Sequence, residues 1–448
     1  MFSFRDIVLT AFILGLLPAV LFRPHWGILL WTWIGLMNPH KLTWGFAYNF
    51  PFAMIVGIVT MLAILISKEP KRLPVTAPVV VLFMWVAWMT ITTVFFSIYP
   101  TEAWPKWDTV MKIQLFIFLT LLVMQSEERI RALVLVATLS IAYFGIKGGV
   151  YTIMHGGGGM ALGPDGGFIS GNTEIALALT VTLPLMRWLQ LQTQRRWLRH
   201  ATTVAMVLIA VSVLGSYSRG GLLALAAVGV FFWFKSRKKL VLAVMIVPLA
   251  FALVAFMPAE WHEKMHTIET YEEDGSAMSR INAWKFAWSL AQDRPVGGGG
   301  FDTFQVDAYA RWLPTSKQAL DSHSIWFQVL AEHGFVGLGI FILFWVLTWR
   351  TGAQVISMCR KRPNFQWARD LAGMTQAALV GFWVGGTFLG MAYWDYPYIL
   401  AIILILTKVV VAKQLSEAPV HAPSLPMAEQ GALGYAGSAT PAYGRLKS

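Results

Sequence analysis

Three side chains far apart in the sequence could together act on a charged substrate: His323, Arg219 and Arg280. His323 stands in Asp321-Ser322-His323-Ser324, where a polar loop meets the start of a very apolar helix. An imidazole can accept a proton near neutral pH. Asp321, two residues away, could orient the ring or simply face solvent. A lone histidine is more often a satisfied structural residue; its place at the mouth of an apolar segment, beside a large polar loop, favours chemistry. Arg219 lies in Ser216-Tyr217-Ser218-Arg219-Gly220-Gly221. It reads equally as an interfacial arginine reaching for headgroups or as a clamp for phosphate oxygens, with glycines allowing close approach. Arg280 shares a four-residue spacing with Trp284 and Trp288, hence one stripe of an amphipathic helix. That helix could rest its tryptophans at headgroup level while Arg280 points to a phosphate.

Other candidates are weaker. His333 is followed by Gly334 and Gly337 and reads as helix packing or a buried hydrogen bond, with a smaller chance of a supporting role. Gly297 to Gly300 could cradle a phosphate through backbone N–H groups but lack the helix and lysine of a P-loop, so a hinge is favoured. His262 and His266 share a helix face with no third ligand at family spacing, which leaves a solvated helix. Glu269, Glu272, Glu273 and Asp274 read as a solvated turn rather than an ion site.

The elements that must position these groups are transmembrane helices. Of 448 residues, 56% are hydrophobic and 13% charged, against about 25% charged in soluble domains; the mean hydropathy is +0.59. Apolar runs near 51–66, 78–96, 109–124, 130–150, 174–190, 201–217, 221–234, 240–257, 324–348, 370–391 and 396–412 can each cross a bilayer as a helix. The run from 6 to 37 is broken at Arg23-Pro24-His25 and reads as a hairpin or one broken span. The expectation is an all-α polytopic membrane protein of about twelve spans with both ends inside. Its regions are 1–199, a core at 200–348, a pair at 349–412 and a disordered tail at 413–448.

The net charge of +12 follows the positive-inside bias, sitting in short loops at alternate span ends. Nucleic acid is therefore not an expected partner. The loop at 258–322 carries ten acidic and six basic residues, which puts it outside the cytoplasm with short helices of its own. The single cysteine, Cys359, excludes an internal disulfide.

The Ser218-Arg219-Gly220 turn, the Ser279-Arg280…Trp284 helix, Gly297 to Gly300 and the block from Asp321-Ser322-His323-Ser324 to Glu332, Gly334 and Gly337 resemble the O-antigen ligase and polymerase superfamily. Met37-Asn38-Pro39-His40 and Leu42-Thr43-Trp44-Gly45-Phe46 resemble the N-terminal region of exosortase-associated O-glycosylation ligases. The resemblance implies a GT-C-like architecture in a bacterial inner membrane. It implies transfer of a glycan from polyprenyl (undecaprenyl) diphosphate to lipid A–core on the periplasmic side, among membrane lipids, with no nucleotide, metal or other cofactor.

Carried over to this sequence, the resemblance makes Arg219 and Arg280 the diphosphate clamps and His323 the base, and gives the loop of Asn172 a contact with substrate; Asp321, Trp284 and His333 are candidate supports by their own positions. A single base opposite the leaving group implies inversion. Polymerases and protein O-oligosaccharyltransferases share these motifs. A lipid-linked sugar transporter is the reading from another class; it would expect buried charges and broken helices, whereas these spans look mostly clean.

Overall fold

The computed structural model describes residues 3–236, 238–266, 275–316 and 319–417. The acidic run Glu269, Glu272, Glu273 and Asp274 and the tail from 418 onward lie outside them. Among the described residues the α-helices, in chain order, are α1 (Phe4–Phe22), α2 (Pro24–Met37), α3 (Phe52–Ile66), α4 (Ala77–Phe95), α5 (Pro100–Val123), α6 (Glu127–Met154), α7 (Asn172–Gln192) and α8 (Arg196–Gly215). They continue as α9 (Arg219–Lys235), α10 (Lys239–Ala255), α11 (Ala259–His266), α12 (Gly275–Asp293), α13 (Val306–Trp312), α14 (Ile325–Met358), α15 (Gln366–Gly386) and α16 (Asp395–Glu417). Residues Met1–Val411 form one compact unit.

A helix stands at every expected apolar run, but the expected count of about twelve spans is not reached by length and composition. Seven helices are long and apolar enough to cross a membrane: α1, α4, α6, α7, α8, α14 and α16. Of the rest, α2, α3, α9 and α10 have 14, 15, 17 and 17 residues, short of the roughly 20 a straight span needs. The first turns of α5 carry Glu102, Lys106 and Asp108. The tail also departs from expectation, since α16 stays helical through Lys413 to Glu417.

The break at Arg23 resolves as a hairpin. Arg23 is extended (φ −140°, ψ 90°), and Pro24 opens α2, where its missing N–H costs nothing. Phe12 and Trp33, about equally far from Arg23 on either side, meet edge to face at 5.6 Å. Ile13, Leu30, Ile34 and Phe52 close a core between α1, α2 and α3.

The centre of the bundle is α16, whose side chains from Tyr398 to Leu406 are buried. Tyr398 accepts from Trp85 of α4 at 3.2 Å, and Tyr396 accepts from Thr182 of α7 at 3.3 Å.

The helix α14 is broken. Gly334 has φ 68° and ψ −172°, outside the helical region. A break frees carbonyls that the bilayer cannot satisfy, and the glycine loop after α12 fills the gap. Gly299 and Gly300 donate to the carbonyls of Ala331 and Glu332 at 2.8 and 2.9 Å, and Phe335 donates to Pro295 at 2.9 Å. A methyl group on Gly298 would lie 2.4 Å from the Ala331 carbonyl oxygen, and one on Gly297 would lie 2.2 Å from the Phe96 ring. These glycines are spent on docking the loop, so the N–H groups of Gly299 and Gly300 are not turned toward a phosphate.

Candidate active site

Three helix N-termini meet at one end of the bundle. Asn172 opens α7, Arg219 opens α9, and Ser324 caps the start of α14. Contact between α7 and α9 depends on Gly221, where a methyl group would lie 2.5 Å from Ala176 Cβ. A methyl group on Gly220 would be 3.6 Å from Phe388 Cβ and 3.8 Å from Thr173 Cγ2. The loop after α15 reaches onward to α14, where the Trp326 indole donates to Thr387 Oγ1 at 3.1 Å. Each N-terminus adds a partial positive charge of roughly half a unit, which favours an anion at their meeting point.

The turn holding Arg219 is built locally. Ser218 accepts from the Gly221 N–H at 3.0 Å and caps α9. Asn172 donates through Nδ2 to the Ser216 carbonyl at 2.9 Å, so its amide braces this turn. Tyr217 adopts φ 58°, and its hydroxyl donates to the Gly157 carbonyl at 2.9 Å.

His323 sits between α12 and α14 with its own backbone at φ 43°, a region non-glycine residues seldom adopt. The turn is held from α12: the Trp284 indole donates to the Ser322 carbonyl at 3.1 Å and stacks on Phe327 at 5.2 Å, 10° from parallel. On the other side, Asp321 accepts from the Ser322 N–H at 2.7 Å.

The imidazole is half-buried and, among the described residues, no side chain hydrogen-bonds its ring. Burial pushes its pKa below the ordinary value; Asp321 and Glu174 oppose that shift and Arg280 adds to it. That shift favours the uncharged ring. Ser322 Oγ and Ser324 Oγ flank it, buried and without a hydrogen-bond partner.

The structure thus brings the turn of Asp321 and His323 to the helix of Arg280 and Trp284, and Phe388, 6.2 Å from the Trp284 ring, lies beside Gly220, the residue after Arg219. Glu174, two residues after Asn172 in the first turn of α7, also acts electrostatically on the His323 ring.

His333 does not join this group. It is fully buried in a cage of Trp85, Phe301 and Tyr393, with Nδ1 at 2.7 Å from Thr92 Oγ1. Beside His333 lies a cluster the sequence does not reveal. Glu332, fully buried, accepts from Lys106 Nζ at 2.9 Å, from the Asp302 N–H at 3.2 Å and from the Tyr393 hydroxyl. Its members come from four segments, so no local spacing announces it.

Fold and site define a multi-pass helical membrane protein with an imidazole and guanidinium groups at a meeting point of helix N-termini. Residues 204–342 match the family described as O-Antigen ligase, and that stretch is an O-antigen ligase family domain. Residues 4–194 match a family of unknown function. No curated protein matches the sequence.

Proposed function

We propose that the protein is an O-antigen ligase, moving a glycan from a polyprenyl diphosphate to a hydroxyl of lipid A–core on the periplasmic side of a bacterial inner membrane, in a GT-C-like framework. The observation that carries this reading is the hydrogen bond from the Trp284 indole to the Ser322 carbonyl at 3.1 Å, which fastens the helix of Arg280 to the turn of His323, 43 positions further along the sequence.

In this reaction the acceptor oxygen bonds to the anomeric carbon as the bond from that carbon to the diphosphate oxygen breaks. His323 takes the hydroxyl proton, a role worth about 10²- to 10⁴-fold in rate. The diphosphate leaves with the bonding electrons. Arg219, Arg280 and the helix N-termini face the charge that grows there, which favours the transition state over the ground state. Attack opposite the leaving group inverts the anomeric centre.

The test is purified protein with polyprenyl-diphosphate glycan and lipid A–core, chelator present, comparing wild type with His323→Ala. Product from wild type alone is expected. Elongated lipid-linked glycan instead would make it a polymerase, and transfer to Ser or Thr of a protein would make it a protein O-oligosaccharyltransferase. Full activity in His323→Ala would remove the base assignment.

A transporter of lipid-linked sugar is the second reading, favoured by broken α14 and by the buried Glu332 paired with half-buried Lys106, features expected of transporters. Under it, His323→Ala would leave substrate movement largely intact.

A further inference from the structure

We propose that the groove between α6 and the segment 160–164 is a binding site for the headgroup of an anionic phospholipid, with Lys147 as its cation. This does not rest on the glycosyl-transfer reading.

The groove is a cavity of about 210 Å³ lined by residues that include Lys147, Tyr151, Met160 and Leu162, with Gly148 and Pro164 in its walls. That is below the roughly 300–1,000 Å³ of pockets that enclose a whole drug-sized ligand, and it suits a headgroup whose acyl chains stay in the bilayer. Lys147, Tyr151 and His155 recur every four residues and so share one face of α6. The Tyr151 and His155 rings lie 4.1 Å apart.

Lys147 lies seven positions before the end of α6, about 10 Å along the axis. It is inside a helix apolar enough to cross a membrane, where an ammonium is costly unless it meets an anion or reaches the interface. Among the described residues it has no hydrogen-bond or ion-pair partner, and no acidic residue lines the groove. Asp165 is the one carboxylate between His155 and Gly171; it lies just beyond the lining. Lys41 lies outside the lining, its ammonium donating to Asn49 Oδ1 at 3.4 Å and standing 4.0 Å over the Tyr48 ring, which leaves Lys147 as the cation of the groove.

Around Lys147 the surface is apolar. Met160, Leu162 and Phe168 are exposed at 42%, 62% and 39%, as are Ile153 and Met154 on α6. A cation ringed by exposed apolar side chains matches a phosphate ester joined to acyl chains, whereas a free ion would leave the apolar rim in water. A zwitterionic headgroup would bring an ammonium that the lining has no carboxylate to receive.

The site bears on the candidate active site through the backbone. Ala161 donates to the Gly215 carbonyl at 2.9 Å and Gly163 to the Ser170 carbonyl at 3.1 Å, so the groove wall is tied to the turns that lead to Arg219 and Asn172.

The experiment is native mass spectrometry of the full chain, released from detergent after addition of phosphatidylglycerol or phosphatidylcholine. Wild type is expected to retain phosphatidylglycerol in preference to phosphatidylcholine. Lys147→Gln is expected to weaken that retention by about fivefold, the effect of one lysine near an anionic surface, and Lys147→Arg to keep it within about twofold, since the charge persists. Equal retention by wild type and Lys147→Gln would overturn the proposal, as would equal retention of phosphatidylcholine by wild type. Displacement of the lipid by equimolar inorganic phosphate would make this an ion site and overturn the lipid assignment. Co-folding loss is controlled by Lys147→Arg and by matching elution of both variants in size exclusion.

Discussion

The Trp284 indole donates to the carbonyl of Ser322 at 3.1 Å, so the helix that carries Arg280 also holds the turn that carries His323. The imidazole and the guanidinium are thereby set relative to each other by one side chain standing one helical turn after Arg280. Trp284→Phe keeps a ring to stack on Phe327 and removes the N–H. A net hydrogen bond is worth about 1 kcal/mol, so kcat of the transfer should fall about fivefold with KM for donor little changed. Steady-state kinetics on the purified variant measures the split; an unchanged kcat would mean the turn holds without α12.

The arginines should differ from lysine in kind. Arg219→Gln or Arg280→Gln should lower kcat by roughly 10²- to 10³-fold, the scale for losing a donor aimed at growing charge. The matching lysine variants should recover only part, because a point charge replaces a planar fork. Initial rates for the four variants give the comparison. Full recovery by lysine would reduce the role to charge alone.

The pH profile has a definite sign. A base must be neutral to act, so the rate is lost as pH falls through the pKa of His323. Burial holds that pKa below its ordinary 6.5, and the acid limb of kcat/KM should lie below that pH. Asp321 raises the pKa and Arg280 lowers it. Asp321→Asn should therefore move the limb to lower pH, and Arg280→Gln to higher pH, whatever either does to the plateau. Shifts of the same sign would separate the limb from His323.

The Lys106–Glu332 pair should matter for folding more than for chemistry. Lys106→Met leaves a buried carboxylate without its cation, a loss of about 3–5 kcal/mol. Adding Glu332→Gln removes the stranded charge while an amide keeps polar atoms toward Asp302 and Tyr393, so the double variant should regain more than half. Thermal unfolding in detergent is the readout, and additive losses would show that the two groups are not coupled.

Gly334 should tolerate no side chain. Its φ of 68° strains any other residue, and a methyl group would sit 2.4 Å from the Val296 carbonyl oxygen. Gly334→Ala should lower the unfolding temperature and push the glycine loop out of the break, exposing it to limited proteolysis near 297–300. Unchanged protection of that loop would mean the break survives by other contacts.

Local chemistry carried much of this protein in its sequence. Apolar run length placed a helix at each expected segment, because a chain in lipid must close its hydrogen bonds within itself. Position at the end of an apolar run marked His323 and Arg219, and a four-residue spacing with Trp284 and Trp288 marked Arg280. What no run of residues could encode was how distant segments share one space. Whether α1 and α2 fold back on each other depended on packing between Phe12 and Trp33, and how many helices are long enough to span depended on where Pro24, Gly334 and the charges of α5 interrupt them. The glycines at 297–300 could serve a phosphate or a broken helix equally well by composition; the freed carbonyls of Ala331 and Glu332, 31 or more positions away, decided it. Glu174, Lys106 and Lys147 looked like ordinary charges in sequence. Only the tertiary structure brings Glu174 to His323, buries Glu332 against Lys106 and opens a groove beside Lys147, because burial and partnership are properties of the packed chain and not of its order.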